Sequence, residues 1–126
     1  GFNLRRANQR HVAIFSAKVE GLTPTQFAAL ARLYETQELS QNLLGRRTAM
    51  DSATIKGVVE RLIAKGLVAV RPDPDDRRVR LLALTAAGRA KFLEAREGAI
   101  EARRETLAPL DPDEAAEFER LLAKLT

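Results

Sequence analysis

Between Arg71 and Arg78 the sequence RPDPDDRR sets two prolines and three aspartates beside two adjacent arginines, Arg77 and Arg78. Pro72 and Pro74 stiffen such a tip. The carboxylates of Asp73, Asp75 and Asp76 repel a polyanion, yet a short carboxylate next to a guanidinium can hold it extended. An arginine poised in that way suits a narrow nucleic-acid groove, where negative potential concentrates. The plainer alternative is a solvated turn with incidental ion pairs, each worth about 0–1 kcal/mol. A second constellation lies upstream, where Ser52, Thr54 and Lys56 open the segment SATIKGVVERLIAKG. Hydroxyls and an ammonium near a helix start can contact phosphates and base edges, although helix capping alone also places polar residues there. Gly57 sits within the same segment. A glycine inside a helix costs about 1 kcal/mol against alanine, so it needs a reason. Close approach of the backbone to a groove is one; tight packing against the protein's own chain is the other.

Other chemistries lack their parts. There is no cysteine, which removes disulfides, thiolate nucleophiles and thiol redox sensing, and His11 is the only histidine. A transition-metal site would have to be built almost wholly from carboxylates, a poor match for zinc or copper. No glycine-rich phosphate loop appears, and no pattern pairs a nucleophile with His11. The expectation is therefore a protein that is not an enzyme and needs no metal or cofactor. The 126 residues suit a single domain, and the net charge of +4 is unevenly spread. Ser40 to Lys91 carries eleven Lys and Arg against five Asp and Glu, a balance of +6, whereas Phe92 to Thr126 carries five against nine, a balance of −4. A basic middle beside an acidic tail suggests a polyanion-facing module attached to a part with another task. No membrane span or secretory signal is recognisable, so a cytoplasmic location is expected. The chain opens at Gly1 rather than methionine, which leaves room for natural residues ahead of the first helix.

The elements that must position these residues can be read from periodicity and punctuation. FNLRRANQRHVAIFSAKV reads as an amphipathic helix ended by Gly21. TPTQFAALARLYE opens a second, with Thr23 as cap, Pro24 at the first helical position and Gln26 as capping-box partner. Ser40 starts a third that runs to about Thr48, with Leu39 and Leu44 as a hydrophobic staple. In the helix from Ser52 to Lys65, Ile55, Val58, Val59, Leu62 and Ile63 keep a strict apolar face, and Gly66 stops it. LVAVR and RVRLLAL fit two strands joined at the charged tip. Thr85 can cap a long helix from Ala86 to Ala108, and Asp111, Pro112 and Glu114 open a last one. The order predicts a mainly α protein with a small β-hairpin. A winged helix-turn-helix spans residues 22–91, flanked by an N-terminal helix in 1–21 and C-terminal helices in 92–126.

These motifs in this order resemble the MarR family of bacterial transcriptional regulators. The resemblance runs from LTPTQFAALARL through LSQNLLGRR and DSATIKGVVERLIAKGLV to RPDPDDRRVRLLALTAAGRA, nearly the whole chain, and is most specific at RLIAKGLV and at DPDDRR before LTAAG. It implies a homodimer whose terminal helices interlock and hold two winged modules over successive turns of one palindromic operator on double-stranded DNA. Phe92, Ala99, Phe118, Leu121, Leu122 and Leu125 would then supply the dimer interface. Ser52, Thr54 and Lys56 match the contacting part of the recognition helix, with Gly57 beside them. Arg77 matches the wing arginine, with Asp75 or Asp76 as its partner and Arg78 alongside, and Arg46 and Arg47 would be phosphate contacts. Many members sense phenolic compounds, aromatic acids or their thioesters in a crevice between the dimer helices and the winged module; others use cysteine for peroxides or histidines for zinc. Lacking both sets, this chain is expected to answer to a small organic effector. His11, Phe15 and Tyr34 lie on helices that would line such a crevice, and Arg5, Arg6 or Arg10 could meet a carboxylate. Each also has an ordinary role, the aromatic residues in the core and the arginines on a solvated face. The reading that results is a ligand-released repressor. Its competitor is a winged-helix module used only for protein assembly.

Overall fold

Capping decides where most helices begin. In the computed structural model, which describes residues 1–126, α1 (Phe2–Lys18) is followed by α2 (Pro24–Thr36), where Thr23 Oγ1 accepts the Gln26 amide at 3.2 Å and Gln26 Oε1 accepts the Thr23 amide at 3.2 Å. Ser40 caps α3 (Gln41–Arg47) through the Leu43 amide at 3.2 Å. Asp51, which sequence reading left unassigned, caps α4 (Ser52–Ala64). Thr85 caps α5 (Ala86–Leu107), and Asp111 with Glu114 forms a second full capping box at α6 (Pro112–Lys124). Each device satisfies amides that the helix itself leaves free.

Three strands form the sheet, one more than the hairpin predicted from sequence. β1 (Glu38–Ser40) pairs antiparallel with β3 (Arg80–Leu84), which also pairs antiparallel with β2 (Val68–Pro72), giving the order β1-β3-β2. Leu82 lies opposite both Leu39 and Val70. The added strand escapes sequence reading because three residues show no alternation, and because the preceding Gln37 reverses the chain with a left-handed φ of 70°.

Leu30, Leu33, Leu44, Ile55, Val59, Leu62 and Leu82 are the largest fully buried side chains, so one core joins α2, α3, α4 and the sheet. A run of rings extends it outward: Phe15 meets Phe27 edge-on at 5.8 Å, Phe27 stacks on Phe92 at 5.5 Å, and Tyr34 lies 4.6 Å from Phe92. Phe92 is thus core and not dimer surface as the resemblance implied. Its face of α5 turns toward α2, where two aromatic neighbours already cover it.

Helix α5 approaches the winged module closely. At Gly88 a Cβ would lie 1.9 Å from the Leu67 carbonyl oxygen, and Thr85 donates from its hydroxyl to Gly66 O at 2.7 Å. At Gly98, where α1 packs on α5, a Cβ would lie 2.3 Å from Lys18 O. Because α5 runs unbroken through residues 91 and 92, one continuous helix joins the winged module to the C-terminal segment. Beyond it, α6 has a strongly one-sided apolar face with no buried residue; Phe118, Leu121, Leu122 and Leu125 are all exposed. No helix is long and apolar enough to cross a membrane.

Candidate functional site

The α4 helix buries Ile55, Val58, Val59 and Leu62, which turns Ser52, Ala53, Thr54 and Lys56 outward, all exposed. Asp51 Oδ1 accepts the Thr54 amide at 2.7 Å, and hydrogen bonds from the Thr54 backbone and then its side chain hold the Asp51 carboxyl below the usual carboxylate range. With Asp51 serving as the cap, the Ser52 hydroxyl and the Lys56 ammonium have no partner within the chain. Gly57 is informative. A Cβ built there would meet only Arg61 Nη1, at 3.3 Å, the far end of a long side chain, so the chain's own packing does not require a glycine. Of the two reasons open from sequence, the internal one is absent. Arg46 and Arg47 are exposed in the last turn of α3, beside the link to α4, and there they also favour the carboxyl end of that helix.

The wing carries its charge in an ordered way. Asp73 Oδ1 accepts the Asp75 amide at 2.8 Å, and the Asp73 amide donates to Val79 O at 3.0 Å, closing the tip. Asp76 then makes a fork: Oδ1 accepts Arg78 Nε at 3.0 Å and Oδ2 accepts Arg78 Nη2 at 3.1 Å, while Oδ1 also accepts the Arg78 backbone amide at 3.1 Å. The Arg78 hydrogen bond lowers the Asp76 carboxyl, and the same bond raises the guanidinium. The pair corrects the expected one, in which Arg77 was the held arginine. An aspartate that accepts the amide two residues onward aims its carboxylate at that residue's side chain, here Arg78. Arg77 is exposed and unpaired, and Asp75 contributes its amide to the turn and its carboxylate to nothing. Arg78 stands 91% exposed even while paired, a guanidinium held out into solvent. At the base of the wing, Arg71 grips Glu38 with two bonds of 2.9 and 2.8 Å across the sheet, and Arg80 Nη1 reaches Gln41 Oε1 at 3.1 Å. The hairpin is thereby tied to α3.

The six residues proposed for an effector do not gather around one cavity. Phe15 is buried, 4% exposed, within the aromatic run. Arg10 donates to Thr106 O at 2.7 Å and Glu105 O at 3.0 Å, so its guanidinium caps the carboxyl end of α5 and does not wait for a carboxylate. Arg5 and Arg6 lie over the Phe2 ring at 5.9 and 5.6 Å, near the exposed start of α1. Tyr34 lines a crevice of about 200 Å³ with Gln37 and Arg89, whose guanidinium sits 4.8 Å from the Tyr34 ring centre. His11 lines a larger cleft of about 510 Å³ between α1, α5 and α6. Sequence reading passed over Thr106 and Arg89. Neither carries a local signal, since each matters only through a helix far away in the chain.

A tri-helical module with a three-stranded wing, a small-faced recognition helix and a poised wing arginine is a winged helix-turn-helix protein of the DNA-binding type. The chain belongs to the MarR family of transcriptional regulators, whose family model matches residues 20–79. It is similar to the HTH-type transcriptional repressor NicR of Pseudomonas putida, 47% identical over 92 residues that make up 71% of this chain and 58% of NicR. A crystal structure of a probable transcriptional regulator from Pseudomonas aeruginosa superposes with a TM-score of 0.96 at 53% identity, over 100% of this chain and 96% of that one. BpsR of Bordetella bronchiseptica, whose DNA binding is regulated by 6-hydroxynicotinic acid, superposes with a TM-score of 0.90 at 42% identity, over 99% of this chain and 96% of that one.

Proposed function

We propose that this chain acts as a homodimeric, sequence-specific DNA-binding repressor that a small aromatic acid releases from its operator. The observation that carries the reading is the Asp76–Arg78 fork, which holds a guanidinium extended and 91% exposed on the same module as the small, polar start of α4. In this reading Ser52, Thr54 and Lys56 contact the wide groove, Gly57 lets the helix backbone approach, and Arg78 enters the narrow groove. Arg46, Arg47 and Arg77 contact phosphates, which position the module without reading sequence. The region 22–91 reads DNA, while the segments 1–21 and 92–126 pair the two copies. The unpartnered apolar face of α6 supports that pairing, because Phe118, Leu121, Leu122 and Leu125 are all exposed on a helix that buries no residue of its own. The acid effector is supported by the similarity to BpsR.

The test is a titration of duplex DNA in a salt series, first with random-sequence fragments to select a preferred site. A palindromic site and a steep loss of affinity with salt are expected, followed by release on adding aromatic acids. Equal, weak binding to every duplex would refute the specific-regulator reading.

A further inference from the structure

Two carboxylate-to-guanidinium forks bracket the wing. Asp76 holds Arg78 at the tip, and Glu38 holds Arg71 at the base, accepting Nε at Oε2 over 2.9 Å and Nη2 at Oε1 over 2.8 Å. The strand register shows what the second fork spans. Glu38 lies opposite Ala83, and Ala83 opposite Ala69; two residues along, Ser40 lies opposite Leu81, and Leu81 opposite Arg71. Alternate residues share a face, so Glu38 and Arg71 stand on one face of the two outer strands, and their fork bridges over β3. That face is the outer one, because the row between them carries the buried Leu39 and Leu82. The strand that bears Glu38 has only three residues and starts from a strained corner, Gln37, whose φ of 70° and ψ of −51° lie near the rare γ-turn conformation. Such a backbone lasts only where its surroundings enforce it. On the carboxyl side of Gln37 those surroundings are the three β1–β3 pairs and the Glu38 fork.

The tip moves with the base. The bond from the Asp73 amide to Val79 O closes the turn, and Arg78 stands at the end of an arm of about 10 Å measured from the row that carries Leu81 and Arg71. A tilt of about 10° at the base would carry Arg78 about 2 Å sideways, well beyond the spread of about 0.5 Å that a hydrogen bond tolerates. We infer that Glu38 is a positioning residue for DNA recognition: through Arg71 it sets the pitch of the wing against α4, and so decides whether Arg78 meets the narrow groove while α4 lies in the wide one. The inference rests on the reading of Arg78 above. Both side chains are part-exposed, 38% for Glu38 and 53% for Arg71, so the fork adds little to the stability of the fold and its loss leaves a folded chain. Charge alone predicts the opposite sign for Glu38, since removing a carboxylate from a DNA-facing module strengthens its attraction to phosphates.

The test is a double-mutant cycle on the full chain, in which fluorescence anisotropy reads affinity for the duplex selected from random-sequence fragments. Glu38→Met matches glutamate in length without its oxygens, and Arg71→Lys keeps the charge but loses the fork. Each should weaken binding about fivefold or more, the scale of coupling within one hydrogen-bonded network. In an Arg78→Ala background the same two changes should alter affinity by less than about twofold, because no wing arginine is left to misplace. A Glu38→Met chain that binds as tightly as the natural one, or more tightly, overturns the inference. So does a loss of equal size with and without Arg78, which would mark a role in the fold at large or a direct phosphate contact by Arg71. If Arg78→Ala by itself leaves affinity unchanged, the narrow-groove reading of Arg78 fails and takes the inference with it, whereas weakening by Arg78→Ala with no effect of Glu38→Met overturns the inference alone.

Discussion

Replacing Gly57 with alanine should make the free protein more stable and the DNA complex weaker. A new methyl at this position meets only Arg61 Nη1, at 3.3 Å, the far end of a flexible side chain that can move away. Alanine in a helix interior is favoured over glycine by about 0.8–1 kcal/mol. For a chain of this length, 1 kcal/mol corresponds to a rise of about 4 °C in melting temperature. In the complex, the same methyl would stand between the helix backbone and the groove floor. Forcing an extra methyl into a close contact costs about 1–3 kcal/mol, so operator affinity should fall by about 5-fold to about 150-fold. No charge changes, so the dependence of affinity on salt should keep its slope. Thermal melts followed by circular dichroism, with fluorescence anisotropy of a labelled operator at several salt concentrations, measure all three quantities. If Gly57→Ala binds operator as tightly as the natural chain, α4 does not approach DNA by this face and the argument fails.

In the wing, Asp76→Ala removes a negative charge near DNA yet should weaken operator binding several-fold, because Arg78 loses the fork that holds it extended. Binding that tightens in a filter or anisotropy assay would show that simple charge repulsion dominates. Arg78→Ala should cost more affinity than Arg77→Ala, the reverse of the ranking expected from sequence alone. Because the Asp76 carboxyl is held below its ordinary range by Arg78, the fork's contribution is complete above that range and disappears only as pH falls through the lowered value. Operator affinity measured downward from neutrality to about pH 5 should therefore show no loss from this pair. On α6, Leu121→Asp places a charge on the apolar face and should yield monomers in sedimentation. A variant that remains dimeric would move the subunit interface elsewhere.

What could be read in advance was whatever lies within about one helical turn of its cause. Thr23 with Gln26 and Asp111 with Glu114 close their capping boxes over three residues, and Ile55, Val58, Val59 and Leu62 place the buried face of α4 by spacing alone. The alternation around the Pro and Asp cluster marked the wing for the same reason. Other features were decided only when distant helices crossed. Phe92 became core because α2 brings Phe27 and Tyr34 onto it, Leu39 found Leu82 across a strand of three residues, and Arg10 and His11 met Thr106 from the far end of α5. Periodicity states that a helix has an apolar or a polar side; it carries no information about which other helix will cover it. The wing pair stands between these cases: both residues were visible, but whether Arg77 or Arg78 faces Asp76 depends on backbone hydrogen bonds inside the closed turn, and those exist only once β2 and β3 are in register.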